Sequence, residues 1–355
     1  MATGPDTPHL LPGEALRSTM QPLPAQGHGI RRVLVCLDRS PSSEVCLPYA
    51  VCISKTFGSE LTLLHVQEAR HEGSGPHSTD ALGWEISRRE ANEYLEHHER
   101  RARELSGRPV DVRLEQGHPA ERILAIAREL GADLTVLGSH GEGGVAAWNL
   151  GSTVQQVLAL ARGSVLIARS SSPAPDAVCP KRILVPLDGS PRTESVLPTV
   201  VRFAKAQDAE ILLAHVIEEP QATAVLRAAE DLELARDLAN RLESRAQQYL
   251  EQLRDQLTKE GASVRALVVR HAYGHQVLLD LAQQEQVDLV VLSAHGVTCN
   301  AAQPFGSVTA NMLAHSVVPI LVLQDLPEPD LQRTGDVVDD EVAPPLRASF
   351  APGPS

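Results

Sequence analysis

A chain of 355 residues that is 43% hydrophobic is long enough for two compact domains, each with its own core. Aromatic residues make up only 3%, so the core is aliphatic and suits α/β packing better than a β-sandwich. A net charge of −13 with no dense Lys/Arg run disfavours nucleic acid and anionic lipid as partners.

Residues 1–29 are rich in Pro and Gly, show little periodicity and read as a disordered tail. They lack the charged-then-apolar layout of a secretory signal. No apolar run in the chain reaches the roughly eighteen residues of a membrane span, so a cytoplasmic protein is expected. From Ile30 onward, short aliphatic runs alternate with segments of helical spacing. RVLVCL, LTLLHV, VDVRL, DLTVLG and SVLIAR read as five strands. PAERILAIARELGA reads as a helix with Ile123, Ile126, Ala127 and Leu130 on one face and Gly131 as its stop. Strand and helix in alternation over residues 30–170 predict an open parallel sheet covered on both faces.

Residues 171–180 form a Pro/Ser-rich linker, after which the chain repeats itself. The 36 residues from Arg31 align without a gap to those from Lys181, with 16 identities, against about two or three for unrelated sequences of this composition. ADLTVLGSHG from Ala132 answers VDLVVLSAHG from Val287 with the register shifted by five residues, so an insertion falls between Val66 and Asp133, in the long charged helical segment. The second domain therefore spans 181–325, and 326–355 is a second disordered tail. The five cysteines (Cys36, Cys46, Cys52, Cys179 and Cys299) are odd in number, show no C-x-x-C spacing and read as buried free thiols.

One loop carries the chemistry. VLGSHGEGGVAAWNLGST, Val136 to Thr153, follows the fourth strand, and in open parallel sheets ligands bind at the carboxyl ends of strands where the strand order reverses. Its glycines admit close approach to the backbone. Ser152 and Thr153 fall where the next helix starts, which offers free N–H groups and a positive dipole end. The loop suits phosphate, yet the Walker pattern is missing, and no lysine occurs between Gly138 and Ser170. GEGGVA fits the loose dinucleotide form, but it follows a fourth strand, and no Asp or Glu lies between Gly143 and Pro175 to take a ribose hydroxyl.

In combination these residues resemble the universal stress proteins. The ATP-binding branch of that family carries G-x2-G-x9-G-[ST], met here by Gly138, Gly141, Gly151 and Ser152. An Asp closes the first strand (VCLDRS, VPLDGS), and LLHV or LAHV ends the second. The resemblance covers Ile30 to Gln324. It implies a five-stranded parallel, Rossmann-like sheet in each domain, with nucleotide between the ends of strands one and four. It also implies domain pairing along the last strands, which a tandem chain can satisfy within itself or extend to a homodimer. Carried over residue by residue, Asp38 contacts adenosine and the backbone around Val66 meets the base. Gly138, Gly141, Gly151 and Ser152, with Thr153 beside them, wrap the triphosphate. A divalent ion, Mg or Mn, supplies the positive charge that a missing lysine does not. Asp188, Val216, Ser293, Gly296, Gly306 and Ser307 form a weaker second site, because Ser293 replaces the first glycine and its Cβ crowds the phosphate or forbids the conformation.

Simpler roles compete with these. Asp38 and Asp188 can cap the helices that begin after Ser-Pro. His65, His140, His215 and His295 read as packing or orienting residues, and no spacing supports a metal site. HHERRARE and RLESRAQQYLEQLRDQL read as solvated helix faces. The expected function is a cytoplasmic ATP-binding regulator of the stress response, acting through nucleotide-dependent assembly or protein contacts. Its rivals are a slow ATP hydrolase and a scaffold that binds no nucleotide. No SGGxDS loop or G-x-S-x-G elbow supports fast catalysis.

Overall fold

The computed structural model describes residues 29–68, 81–139, 150–161, 163–169, 180–218, 229–271, 274–297 and 303–324. The expected tails, the linker 171–179, Gly141, His140, Cys179 and Cys299 lie outside them. The first half supplies strands β1 (Arg32–Cys36), β2 (Glu60–Gln67), β3 (Val110–Gln116), β4 (Leu134–Gly138) and β5 (Ser164–Ala168). The second supplies β6 (Arg182–Pro186), β7 (Glu210–Glu218), β8 (Ser263–His271), β9 (Leu289–Ser293) and β10 (Ile320–Leu323). They join into one sheet in the order β3-β2-β1-β4-β5-β10-β9-β6-β7-β8.

Neighbours within each half run parallel. Only β5 and β10 run antiparallel, with Val165 opposite Val322, Leu166 opposite Leu321 and Ile167 opposite Ile320. Ser164 Oγ accepts the Gln324 N–H at 3.1 Å beside that seam. Pairing along the last strands is therefore satisfied within the chain, and two parallel five-stranded sheets become one sheet of ten. The strand order reverses between β1 and β4 and again between β6 and β9, so each half has one crevice at its carboxyl edge.

The first-half helices are α1 (Pro41–Glu44), α2 (Cys46–Phe57), α3 (Ala81–Ser106), α4 (Pro119–Leu130) and α5 (Ser152–Leu160). The second half adds α6 (Pro191–Glu194), α7 (Leu197–Gln207), α8 (Ala229–Lys259), α9 (Gly274–Gln284) and α10 (Ser307–His315). They cover both faces because alternate residues of each strand point to opposite sides. Val33 and Val35 of β1 pack with Leu47 and Ile53 of α2 and Leu95 of α3 in one core cluster. Leu34 and Cys36 pack with Ile123 and Ile126 of α4 and Val157 of α5 in the other. Both clusters continue into the second half, so the seam interrupts neither. Each fully buried Leu or Ile in them contributes about 1.5–3 kcal/mol relative to exposure. Cys36, Cys46 and Cys52 are buried thiols outside any disulfide among the described residues, as expected.

Two sequence features acquire a structural reason. Asp133, just before β4, accepts the N–H groups of Arg31 and Arg32 at 2.8 and 2.9 Å. Asp288 does the same for Lys181 and Arg182 at 2.8 and 2.9 Å. The Asp-Leu phrase is thus a clamp between the starts of adjacent strands. The five-residue shift corresponds to the helices: α3 has 26 residues and α8 has 31.

The charged helices are not solvated throughout. Ala91, Leu95, His98 and Ala102 are buried along α3, as are Ala246, Leu250, Leu253 and Leu257 along α8. Spacings of three and four residues put each set on one face. HHERRARE therefore contributes His98 and Ala102 to the interior, while Arg103 pairs with Glu99 at 2.6 Å on the outer side.

Candidate functional site

At the carboxyl end of β1 the chain turns sharply into α1. Ser40 caps that helix, accepting from the Ser43 N–H, with Pro41 in the first turn. Asp38 does not cap. Its Oδ1 accepts from the Ser40 N–H at 3.0 Å and the Ser40 hydroxyl at 2.5 Å, a side-chain turn that fixes the carboxylate at the crevice. The second half repeats the arrangement, with Ser190 as the cap of α6 and Asp188 accepting from its N–H at 2.9 Å and its hydroxyl at 2.6 Å. The capping duty considered for the two Asp residues falls to the two Ser residues.

Across the crevice, β4 ends at Gly138. A Cβ built there would lie 2.7 Å from the Ser42 carbonyl oxygen and 3.0 Å from the Ser43 nitrogen, so glycine at 138 lets the α1 turn approach β4. This is a packing reason for the first motif glycine, in addition to the phosphate role that the resemblance implies. Gly151 is the N-cap of α5 with φ −60° and ψ 154°, a conformation open to any residue. Its N–H donates to the Ser139 carbonyl at 3.0 Å, which anchors the start of α5 to the end of β4. Among the described residues no side chain caps α5, so the first-turn N–H groups of Ser152, Thr153 and Val154 carry the helix's positive end. Val66 lies near the end of β2, partly buried, one strand outward from Asp38.

The first half thus brings Asp38, Val66, Gly138, Gly151, Ser152 and Thr153 to one edge of the sheet. The second half brings Asp188, Val216, Ser293, Gly296, Gly306 and Ser307 to the corresponding edge, with different contacts. Thr193 donates to Asp188 Oδ1 at 2.8 Å, and the Val297 N–H donates to Oδ2 at 2.8 Å. Burial works to raise the Asp188 pKa. The Ser190 hydroxyl, the Val297 amide, the Ser190 amide and the Thr193 hydroxyl outweigh it and hold the carboxyl below its usual range. Ser293 is accommodated without forbidding the turn: its hydroxyl donates to the His295 carbonyl at 2.5 Å, and its own carbonyl accepts from Thr309 Oγ1 at 2.9 Å.

Behind each crevice sits an imidazole, buried at His65 and half-buried at His215. His65 Nδ1 lies 2.7 Å from the Leu37 carbonyl, which fixes the end of β1. His215 is held below its usual pKa by burial, opposed by the Leu187 carbonyl and Asp188, although its Nδ1 makes no hydrogen bond of good geometry. Tyr94 and Tyr249 pack on these two rings at 6.2 and 6.5 Å. Tyr249 donates to Glu194 at 2.8 Å. In the first half the corresponding acid, Glu44, stands 3.7 Å from His98 Nε2 instead. His98 and the two Ser caps were missed in the sequence as parts of the site's support. The Ser-Pro phrase common to both halves was a visible signal for the caps.

Among the described residues, no group of three or more His, Cys, Asp or Glu is placed to hold a metal ion, and no helix is long and apolar enough to cross a membrane.

Comparison with known proteins gives a consistent result. The profile of the universal stress protein family matches residues 29–169 and again 180–324. A universal stress protein of Methanocaldococcus jannaschii is 28% identical over 156 residues, which is 41% of this chain and 94% of that protein. One from Bacillus subtilis is 33% identical over 147 residues, 39% of this chain and 98% of that protein. Each relative is thus about one half of this chain in length. Among solved structures, a universal stress protein from Archaeoglobus fulgidus superposes with a TM-score of 0.58 at 20% identity, covering 83% of this chain and 98% of that one. That likeness concerns the fold.

Proposed function

Because the chain belongs to the universal stress protein family in both of its halves, we propose that it is a cytoplasmic, ATP-binding regulatory protein of the stress response that holds its nucleotide in the first half. The observation that carries this reading is the junction at the carboxyl edge of β1 and β4. A carboxylate oriented by Ser40 shares that edge with a nine-residue helix whose start no side chain caps among the described residues.

The residues fit the chemistry of the ligand. Asp38 can accept from ribose hydroxyls. The backbone near Val66 can meet an adenine edge. The first-turn amides of α5, with the Ser152 and Thr153 hydroxyls, can receive phosphate oxygens at the positive end of the helix. A divalent ion, Mg or Mn, riding on the phosphates supplies the charge that no lysine provides. Val154, Val157 and Leu158 of α5 belong to the same core cluster as Val165 and Ile167 of β5 and Ile320 and Val322 of β10. A nucleotide that steadies the start of α5 therefore acts on a helix whose core cluster runs on through the seam, which gives occupancy a route to assembly or protein contacts.

Gly151→Val tests the site. The φ and ψ at 151 are open to any residue, so the variant folds with a modest loss of stability, valine being a poorer N-cap than glycine, while its side chain obstructs the approach to the helix start. Its ATP affinity falls by about tenfold or more, equivalent to about 1.4 kcal/mol. A folded variant with full affinity would falsify the placement.

A further inference from the structure

The seam joins two copies of one sequence, and its strands cannot tell them apart. Val165, Leu166 and Ile167 face Val322, Leu321 and Ile320, aliphatic residues of similar size, so the strands alone would let a first half pair with the first half of another chain. We propose that the junction of α2 and α7 across that seam supplies the discrimination: it fits a first half only to a second half, so that the chain closes on itself and the seam recruits no second copy. This goes beyond the nucleotide reading and does not depend on it.

The junction is made of contacts that each take one residue from either half. The Phe57 ring at the end of α2 stacks on the Phe203 ring of α7, with centroids 6.3 Å apart and an angle of 15° between the planes. The Arg202 guanidinium lies 4.9 Å from the Phe57 centroid, within cation–π range. It also donates to the Thr56 and Phe57 carbonyls at 3.3 and 3.4 Å. Those are last-turn carbonyls, which have no partner inside the helix and carry its negative end. The Thr56 hydroxyl donates to the Cys52 carbonyl at 3.0 Å and accepts from Gln207 Nε2 at 2.9 Å.

The gap-free alignment of the halves gives the cost of pairing like with like. Cys52, Ile53, Thr56 and Phe57 correspond to Arg202, Phe203, Ala206 and Gln207. Two first halves would set Phe57 against Ile53 and Cys52, with no guanidinium from the facing helix for the ring and no amide for the Thr56 hydroxyl. Two second halves would set Gln207 against Phe203 and Arg202, with no ring for the guanidinium and Ala206 in place of a hydroxyl. The Gln207 carbonyl that ends α7 is moreover served within its own half, since Lys181 Nζ donates to it at 2.7 Å. Specificity is a difference of affinities. The ring stacking, the cation–π contact and the Thr56 hydrogen bond are lost in both alternatives and kept only when unlike halves meet.

Full-length chains at natural isotopic abundance, mixed in equal amounts with chains labelled with heavy nitrogen, test the pairing. Native mass spectrometry reads a two-chain species of intermediate mass. The quantity of interest is the amount that joint unfolding and refolding at high concentration adds to folded chains mixed in the same ratio, because halves exchange between chains only through unfolding. The wild-type chain is expected to gain none. Arg202→Cys, Phe203→Ile and Gln207→Phe together give α7 the residues of α2, and this variant is expected to gain the mixed-mass species. Arg202→Ala alone, a change at an exposed position that leaves the core intact, is expected to gain a smaller amount. Leu166→Ala, which loosens the seam without touching the junction, is expected to gain none. A mixed-mass gain in the wild type or in Leu166→Ala would overturn the proposal, and so would its absence from both α7 variants.

Discussion

Gly138 and Ser42 touch backbone to backbone. The position a Cβ would take on Gly138 is 2.7 Å from the Ser42 carbonyl oxygen and 2.9 Å from its carbon. Gly138→Ala must therefore push the α1 turn away from β4, at about 1–3 kcal/mol, the usual cost of overpacking a rigid contact. Urea denaturation should show the midpoint falling, and an unchanged midpoint would contradict the contact. Lost ATP binding in a Gly138 variant would consequently not by itself report a phosphate contact.

Ser40 has two duties, capping α1 and holding Asp38. Ser40→Ala should cost about 1 kcal/mol of stability from the cap and also weaken ATP binding, because the carboxylate loses its orientation. Denaturation and calorimetry on the same variant separate the two effects. Full ATP affinity with reduced stability would confine Ser40 to the cap.

His98 sets a pH dependence. Burial, then His97 and Arg101, lowers its pKa from 6.5 to about 4, and its Nδ1 has no hydrogen-bond partner among the described residues. Glu44 is the opposing influence at 3.7 Å, but its side chain is 41% exposed and screened. A histidine with a lowered folded pKa binds fewer protons folded than unfolded, so its stabilising contribution is complete above about pH 6.5 and is lost as pH falls toward 4. His215 is shifted in the same direction and loses stability with the same sign. His98→Leu, which installs the residue type found at the matching Leu253, should flatten part of the decline in melting temperature between pH 6.5 and 4. An unaltered pH profile would show that His98 does not titrate on unfolding.

Leu166 and Leu321 face each other across the antiparallel seam, both buried. Leu166→Ala should cost about 2–5 kcal/mol and lower the stability of both halves, since one core cluster contains Leu166, Val33 and Ile183 alike. Thermal unfolding followed by amide exchange in each half checks this. Loss confined to the first half would mean that the halves fold as independent units.

Much of this was legible in the sequence for physical reasons. Aliphatic runs bounded by glycine and proline marked the strands, and the duplication from Arg31 and Lys181 gave two matching crevices. Other features were hidden. Charged neighbours in HHERRARE masked the burial of His98, although the spacing Ala91, Leu95, His98, Ala102 marks one helical face. Asp38 resembled a cap because it precedes Ser-Pro, whereas the shorter Ser40 side chain reaches the Ser43 amide. The Val297 contact on Asp188 uses a backbone donor, which every non-proline residue possesses and which therefore leaves no residue signature.

The measurement that bears most directly on the central claim is calorimetric titration of the full chain with ATP and magnesium, after denaturing a parallel sample to check for nucleotide carried through purification. One site per chain, weakened by Gly151→Val, is the predicted result. A nucleotide-free chain that gives no binding heat at any temperature tested would contradict the account and leave the duplicated sheet as a scaffold.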